Sequence, residues 1–509
     1  MLAMFLAAVE GTIVATAMPS IVSSLGGFSL YSWVFSIYLL AEAVSIPIYG
    51  KLADIFGRKP VFMFGMVLFL AGTALCGLSN SMVQLIAFRS LQGLGGGAVM
   101  PMATTMVSDL YTLKERPRVQ GALSSVWAIA SVTGPALGGF IVGQLSWHWV
   151  FFVNIPFGIA SAVILALYFR EKVTRSQPQI DYAGSIILVV AVGSLMLLLV
   201  QGGTAWPWLS TQTLALAIVA CAGFVLFVRQ EQRAPEPLLP IDLLRDRTIV
   251  LANLGGMLGG GLIYALSSFV PTFAQGVLGA SATIAGAMLT VVSLGWPLAS
   301  VLTGRAWNAL GHRRTAVLGS LFLITSGLLL ASAGAHSPVW QLGASSFVMG
   351  MGLGFTQTTY IVTVQSQVPW NRRGVATSSH MFGRILGSTL WVAMLGGILN
   401  QRLQASLRGR GIAEELGVAA PTTAAGGAAT EQTGATGLDI VSPLWEPNAR
   451  ARLPHDVLEQ LRHALADGVH AVFLVVLLTA AAGFVIAYML PRKDIVDVRD
   501  EQPTPPGDA

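Results

Sequence analysis

Long apolar segments follow one another along almost the whole chain and are separated by short polar loops. A helix needs about 20 apolar residues to cross the hydrocarbon core of a bilayer, where every backbone polar group must be satisfied inside the segment. The pattern therefore predicts an all-α integral membrane protein. We predict fourteen spans, at 2–22, 33–52, 60–79, 83–107, 121–143, 149–169, 182–200, 211–228, 248–273, 284–306, 315–333, 339–366, 374–399 and 470–490.

The composition excludes most other classes of protein. Only 10% of the residues are charged, against roughly 25% in a soluble domain, and the mean hydropathy is +0.69. Such a chain cannot build the charged surface of a cytosolic enzyme or a secreted domain. Cys76 and Cys221 lie in separate apolar segments, which excludes a disulfide framework, and we expect neither a metal site nor a cofactor. The basic residues are spread over the loops, so the net charge of +5 does not predict nucleic-acid binding.

The distribution of Lys and Arg predicts the orientation of the spans. The even-numbered short loops carry Lys and Arg, whereas the six short odd-numbered loops carry none. By the positive-inside rule the even loops and both termini are cytoplasmic. The first span has no positive charge at its start and contains Glu10, so we expect a retained helix rather than a cleaved signal peptide. We therefore expect a multi-pass protein of a bacterial cell (inner) membrane.

One loop is much longer than the others. Residues 400–469 lie on the outer side by parity, and the Ala/Gly/Thr-rich stretch 417–438 is typical of disorder. The part from 453 to 466 is predicted to be a surface helix leading into the last span. We also expect a disordered cytoplasmic tail at 495–509. The helical spacing in the loop is carried by four apolar residues, Val457, Leu458, Leu461 and Leu465.

Two loops share one pattern and predict an internal repeat. Gly50 and Gly57 stand seven residues apart after the second span, and Gly304 and Gly311 repeat that spacing after the tenth. Basic or polar residues follow in both places. Such repeats are typical of transporters built from two homologous halves. The predicted organisation is an N-terminal six-helix bundle at 1–172, an inserted helix pair with a cytoplasmic linker at 173–247, and a C-terminal six-helix bundle at 248–494.

Five motifs occur in a characteristic order and at characteristic depths. The loop signature consists of Gly50, Asp54, Gly57, Arg58 and Lys59. The others are Glu10-Gly-Thr-Ile-Val in the first span, Arg89-Ser-Leu-Gln92-Gly93 in the fourth, Gly134-Pro135-Ala-Leu-Gly138-Gly139 in the fifth, and Trp147-His-Trp149 through Asn154-Ile-Pro156 before the sixth.

In these motifs the chain resembles the major facilitator superfamily, and more narrowly its 14-helix drug:proton antiporters of the EmrB/QacA type. The resemblance implies the major facilitator fold and proton-driven multidrug efflux by alternating access. Three positions depart from the family pattern. Glu10 stands where the family usually has Asp, His148 where it has Arg, and Asn308 near the place of an Asp in the second half.

Ionisable groups inside the spans are the first candidates for proton coupling, because each costs about 2.5–3.5 kcal/mol on insertion scales. Glu10 lies in the first span, Glu42 in the second and Arg89 in the fourth. A carboxyl in the bilayer can exchange a proton and attract a cationic drug. An arginine keeps its charge and acts through a neighbouring carboxyl. The structural alternatives are a buried ion pair, an interhelical hydrogen-bond seam and a packing anchor, respectively.

Two of the motifs predict conformational roles. The resemblance implies that Gly50, Asp54, Gly57, Arg58 and Lys59 form a gating loop that joins the two halves through charge pairs and a helix end. In the fifth span, Pro135 predicts a bend, and the flanking glycines permit close helix contact. A purely structural kink is the alternative for this antiporter motif, which consists of Gly134, Pro135, Gly138 and Gly139.

The substrate cavity is the least constrained prediction. Lipophilic ligands favour aromatic rings and methionines, with a few polar groups. Arg384 lies one turn from His380, which titrates near neutrality when unperturbed. Ordinary packing is the alternative for each of these residues. The cavity candidates are Tyr38, Gln92, Met100, Trp127, Gln357, Tyr360 and Arg384.

The sequence thus predicts a transporter and not an enzyme. It contains no nucleotide-binding phosphate loop, zinc-protease motif or hydrolase nucleophile motif. The leading hypothesis is a proton-driven exporter of lipophilic, cationic drugs that acts as a monomer. The alternatives are a proton-coupled exporter of a lipid, siderophore or amphipathic metabolite, with an envelope adaptor as partner, and a non-transporting membrane receptor or scaffold.

Overall fold

The computed structural model describes residues 1–26, 30–169, 171, 181–202, 206, 209–239, 243, 245–409, 441, 444 and 454–491. Within these residues the secondary structure is helical apart from one isolated bridge between Gly202 and Trp206. The principal helices are α1 (Leu2–Leu25), α2 (Tyr31–Phe56), α3 (Arg58–Gly77), α4 (Met82–Leu110), α5 (Arg116–Gln144), α6 (Trp149–Phe152), α7 (Asn154–Tyr168), α8 (Tyr182–Gln201), α9 (Thr211–Glu231), α10 (Arg247–Gly276), α11 (Ala282–Ala331), α12 (Val339–Ser366), α13 (Arg373–Gly409) and α14 (His455–Met489).

Every predicted span falls on a helix of this set, and the sixth falls on α6 and α7 together. The tenth and eleventh share α11, which turns sharply at Gly311 (φ 79°). In the described part of the chain, nine helices are long and apolar enough to cross a membrane. The all-helical membrane fold is confirmed, whereas the number of fourteen crossings stays a prediction.

The distribution of polarity is inverted relative to a soluble protein. Leu167 and Leu478 expose about two thirds of their surface, while Glu10 and Gln92 are completely buried. Apolar side chains on the outside and charged side chains on the inside are the arrangement that lipid favours. The charged residues of the spans must therefore find their partners within the helix bundle.

Helices from the two ends of the chain pack against each other. α2 lies along α13 and α5 lies along α11, and α8 contacts both α2 and α13. The predicted boundaries of the two bundles and the inserted pair are not tested by these contacts and stay a prediction. The contacts between these helices do bring α2 and α13 together, and most of the functional side chains lie on or beside those two helices.

The long outer loop begins and ends in helix. α13 continues to Gly409, and α14 begins at His455, so the predicted surface helix and the last span form one helix. Leu403 and Leu461 are both fully buried in the apolar cluster that joins these extensions. The stretch predicted to be disordered, 417–438, and the tail at 495–509 lie outside the described residues.

Candidate functional site

A buried charge network joins α1 and α4. Arg89 forms an ion pair with Glu10, and both side chains are almost fully buried. The same guanidinium donates to Oε1 of Gln92 (2.6 Å) and to the backbone oxygen of Val34 (3.2 Å). Gln92 in turn donates to Thr73 Oγ1 at 2.8 Å. The second carboxylate oxygen of Glu10, Oε2, has no hydrogen-bond partner among the described residues.

Small residues allow the helices to approach this network. The ring of Tyr38 lies under the guanidinium of Arg89, with 4.3 Å between the guanidinium carbon and the ring centroid. A Cβ at Gly93 or Gly96 would collide with Tyr38, and one at Gly72 would collide with the backbone of Gln92. The glycines of α3 and α4 therefore let α2 and α4 place an aromatic ring and a cation in direct contact.

Glu42 and Arg384 form a second charged region between α2 and α13. Gly50 packs against Ser378, and Asp54 bonds to the start of α13, so the two helices run antiparallel with Glu42 near Arg384. Their charges attract each other, although Arg89 and Glu10 also act on Glu42. Both side chains are only partly buried, in contrast to Glu10 and Arg89.

His380, one turn from Arg384 on α13, bonds to α10. Its Nδ1 lies 3.2 Å from Oδ1 of Asn253 on α10, and its ring packs against Gly256. Asn253 also donates to Ser379 Oγ at 3.3 Å. This arrangement favours a structural hydrogen bond between α10 and α13, the alternative that the sequence left open for His380.

The predicted gating loop lies at one end of the bundle, which we call the latch end. Asp54 near the end of α2 accepts hydrogen bonds from the backbone N–H groups of Gly374 and Val375, both at 2.8 Å. These are the first turn of α13, so Asp54 caps that helix from a distant part of the chain. The positive end of the helix dipole favours a carboxylate there.

Arg58 is the centre of the latch. It is completely buried and contacts Asp54 (3.1 Å) and Asp109 (3.2 Å), and its Nη2 donates to the backbone oxygen of Trp370 (2.5 Å). Its guanidinium also stacks 4.0 Å from the centroid of the Trp370 ring. Arg58 thus bridges α2, α4 and the segment before α13.

Glu171 and Lys59 join the ends of α3 and α7 reciprocally. Glu171 accepts from the backbone N–H groups of Arg58 and Lys59, both at 3.0 Å. Lys59 Nζ donates to the backbone oxygens of Ala166 (2.7 Å) and Phe169 (2.8 Å). Each charged side chain therefore satisfies groups at the end of the other helix.

The corresponding turn of the second repeat differs in one side chain. Gly57 and Gly311 both adopt positive φ, 95° and 79°, at corresponding turns. Asn308, which corresponds to Asp54, is exposed. The Asn308 departure noted in the sequence therefore coincides with a difference in structure, because Asp54 is bonded to α13 whereas Asn308 is exposed.

The antiporter motif of α5 packs against α1. A Cβ at Gly134 would collide with Thr12, and one at Gly138 would collide with Thr16. Gly139 faces away and has no described neighbour within 4 Å of such an atom. The helix continues through Pro135, whose side chain lies outside the described part, so the predicted bend stays a prediction.

The remaining cavity candidates differ in their local surroundings. Met100 is buried beside Met4 and Leu123, whereas Trp127 is 43% exposed. Gln357 is buried and donates to the backbone oxygen of Gly255 at 3.3 Å. Tyr360 is also buried and packs against Gly255. Gln357 and Tyr360 therefore lie within the packing of α10 and α12, which favours the alternative of ordinary packing.

Sequence reasoning missed several residues of the latch. Asp109 pairs with Arg58 and lies 3.5 Å from Nη1 of Arg373, which also donates to the backbone oxygen of Ser108. Asp109 ends an apolar segment, and Arg373 counts toward orientation, so neither stands out in the sequence. The signal that could have found them is Arg58 itself. A buried guanidinium needs carboxylate partners, and these must come from other parts of the chain.

A family comparison now decides the class of the molecule. The model of the Major Facilitator Superfamily matches residues 1–392. The chain belongs to the major facilitator superfamily. Members of this superfamily are membrane transporters and not enzymes, and the fold class and multi-pass membrane character predicted from the sequence are confirmed.

Two curated relatives of this superfamily member come from Bacillus subtilis (strain 168). The chain is 36% identical over 497 residues to "Multidrug transporter protein MdtP", covering 96% of this chain and 91% of the relative. It is 33% identical over 482 residues to "Multidrug resistance protein 3", covering 94% and 91%. The resemblance to multidrug efflux transporters of the superfamily is thereby supported.

Solved structures support the superfamily fold. The human organic anion transporter MFSD10 matches with a TM-score of 0.60 and 14% identity, over 96% of this chain and 97% of that one. The proton:xylose symporter XylE matches with a TM-score of 0.60 and 12% identity, over 96% and 94%. At such identities the likeness concerns the fold alone.

Proposed function

We propose that the protein is a proton-driven exporter of lipophilic, cationic drugs that works by drug:H⁺ antiport. The observation that carries this proposal is the Glu10–Arg89 pair, buried in the bundle and extended by Gln92. The names of the two multidrug relatives support drugs as the cargo. A structural scaffold has little need for a charge pair at this depth, because its burial is costly.

Competition at Glu10 supplies the coupling. A proton on Glu10 removes its negative charge and ends its ionic attraction to Arg89. A cationic drug instead needs the carboxylate in its charged form, so proton and drug exclude each other. Arg89 does not carry the proton, since a guanidinium stays charged in proteins. It holds the carboxylate in place when neither ligand is bound.

The latch determines which side of the cavity is closed. Asp54, Arg58 and Arg373 join α2, α4 and α13 at the latch end. We assign this end to the cytoplasm, because the residues that meet there come from the loops rich in Lys and Arg. The arrangement then corresponds to a cytoplasm-closed state, and opening toward the cytoplasm requires these contacts to break. Both termini are assigned to the cytoplasm for the same reason.

Aromatic and acidic groups support a cationic substrate. Tyr38 already holds the guanidinium of Arg89 against its ring, and the same face can hold a planar drug cation. Glu42 is partly accessible and lies between the two ends of the chain. A lipophilic cation released from Glu10 would meet Glu42 and Tyr38 on the same helix, one turn apart.

Ethidium efflux from cells tests the proposal. Cells expressing the protein are loaded with ethidium, and efflux is followed with and without a proton uncoupler, beside Glu10→Gln. We expect efflux to fall to the vector background in both cases. Glu459→Gln serves as the control. Glu459 forms an ion pair with Arg462 (2.9 Å) in α14 and lies far along the chain from the Glu10–Arg89 network.

Other outcomes would contradict parts of the proposal. Efflux that survives in Glu10→Gln but is abolished by the uncoupler would move the coupling role to Glu42. Efflux that survives the uncoupler would exclude proton coupling. A well-inserted protein that exports no dye would contradict a broad drug role and favour a lipid or metabolite cargo.

A further inference from the structure

The helix pair α8 and α9 lies over the line of contact between α2 and α13. α8 contacts both of those helices, and α9 packs on α8. Gln230 at the end of α9 donates to Asp181 at the start of α8 (3.0 Å), which closes the pair at the latch end. Nothing in the proposed transport cycle yet uses this pair.

The segment after α9 turns back into the bundle. Glu231 is buried, and its two carboxylate oxygens accept from the backbone N–H groups of Leu238 (3.2 Å) and Leu239 (2.9 Å). We call residues 231–239 the strap. Because one carboxylate accepts hydrogen bonds from two backbone N–H groups, these bonds fix the conformation of the turn.

The strap is anchored to α2 by charge. Lys51 Nζ lies 2.6 Å from Oε2 of Glu236, and the Lys51 side chain is 11% exposed. Lys51 stands one turn before Asp54, so the anchor is adjacent to the latch. The strap is therefore attached to α2, which is one of the two helices, α2 and α13, that must separate when the latch opens.

The strap and α13 contribute to one apolar cluster. Leu238 is 1% exposed and belongs to one buried cluster with Ile46 of α2, Phe227 of α9, and Met381 and Phe382 of α13. Apolar surfaces are not directional, so they can separate and close again without matched partners. Among the described residues the strap therefore has both a charged pair and apolar packing with α2, whereas the shared apolar cluster is what links it to α13.

We propose that α8, α9 and the strap move with the N-terminal helices and form an apolar seal that closes on α13 in the cytoplasm-closed state. This inference rests on the proposed alternating access. When the latch opens, the Lys51–Glu236 pair stays intact and Leu238 leaves Met381 and Phe382. The seal keeps lipid and water out of the line between α2 and α13 while the latch is closed.

Cross-linking tests which side the strap follows. In a variant in which Cys76 and Cys221 are replaced by Ala, two double-cysteine variants are treated with a short bis-maleimide. We expect the 51–236 cross-link (Lys51→Cys with Glu236→Cys) to leave ethidium efflux intact. The 238–382 cross-link (Leu238→Cys with Phe382→Cys) should abolish it, because it ties the strap to α13. The untreated double variants are the controls.

Three cross-linking results would overturn the inference. Loss of efflux only with the 51–236 cross-link would mean that the strap follows α13. Retention with both would mean that it takes no part in the cycle, and loss with both would mean that it must leave both helices.

A second readout does not depend on export. Ser108 is completely buried at the latch end, beside Arg373. In inside-out vesicles, labelling of Ser108→Cys by a membrane-impermeant maleimide reports opening of that end. We expect Glu236→Gln to leave labelling unchanged, because a pair that stays intact in both states does not shift the balance between them. Leu238→Ala should raise labelling at least about fivefold, because by the proposal its apolar contact with α13 is made in the closed state alone.

The matched controls separate charge from damage. Exchange of the charges in Lys51→Glu with Glu236→Lys and the remote change Glu459→Gln should likewise leave labelling unchanged. Unchanged labelling in Leu238→Ala, or raised labelling in Glu236→Gln, would overturn the inference. The expected labelling in a protein that exports no dye would support the seal and contradict only the proposed drug export.

Discussion

Asp54 accepts a hydrogen bond from the backbone N–H of Gly374, although the two residues lie 320 positions apart in the chain. The bond caps the first turn of α13 with a carboxylate from the end of α2. A helix cap is ordinarily local, and this one is formed only when the two helices meet. Closure at the latch end is therefore coupled to the satisfaction of backbone groups of α13.

Removal of this cap should open the latch end. Loss of a helix cap costs about 0.5–2 kcal/mol, so Asp54→Ala should raise labelling of Ser108→Cys by about 2- to 30-fold. The measurement is labelling in inside-out vesicles. Asn308→Ala is the matched control, since Asn308 occupies the corresponding place in the repeat and is exposed. Equal labelling in the two variants would contradict the role of the cap.

Substitution of the two neighbouring glycines of α5 by valine should have different effects on stability and efflux. Gly138→Val places atoms against Thr16 of α1, and overpacking typically costs about 1–3 kcal/mol. We expect a lower thermal unfolding midpoint in detergent and reduced efflux. Gly139→Val, which points away from described neighbours, should change neither quantity. A similar loss in both variants would mean that the backbone, and not the α1–α5 contact, needs glycine.

Arg89→Lys should not preserve function. An ammonium keeps the charge but cannot bond Glu10, Gln92 and the backbone oxygen of Val34 together in the geometry of a guanidinium. We expect initial ethidium efflux to fall at least about fivefold, since an unmade buried bond costs about 1–3 kcal/mol. Arg462→Lys, in a partly exposed pair, is the control. Full activity of Arg89→Lys would reduce its role to charge alone.

We expect Gln92 to stabilise the protein through its side-chain hydrogen bonds. Gln92→Met preserves much of the side-chain length but leaves Thr73 and Arg89 without their amide partner. Because a buried polar group left unsatisfied costs about 1–3 kcal/mol, the thermal midpoint in detergent should fall. Ser90→Ala, on the same helix and near the surface, should leave the midpoint unchanged. An unaltered midpoint in Gln92→Met would show that these bonds add little stability.

The sequence predicted the network of α1 and α4 better than it predicted the cavity. Glu10 and Arg89 stand out because charged residues are rare in apolar segments, and their pairing was already one of the alternatives. Gln357 and Tyr360 share a helical face, yet that face packs against α10. Periodicity within one helix does not tell which neighbouring helix covers the face.

The sequence likewise predicted one part of the latch and missed another. The spacing of Gly50, Asp54 and Gly57 marks the loop, and the resemblance implied a charge pair with a helix end. Beside Asp54, the carboxylates around Arg58 are Asp109 near the end of α4 and Glu171 after α7, both more than fifty residues away along the chain. Each of these is an unremarkable acidic residue at the end of an apolar segment.

The sequence by itself determined that this protein is a helical membrane protein, because apolar segments of this length can satisfy their backbone groups in lipid only as helices. It also singled out Glu10 and Arg89 as charged residues within the spans. The tertiary structure alone decided that Asp54 caps α13, that Glu236 anchors the strap to Lys51 and that Leu238 lies at the contact of α2 and α13. These relationships depend on how helices distant in the chain pack, and no local pattern of residues encodes that packing.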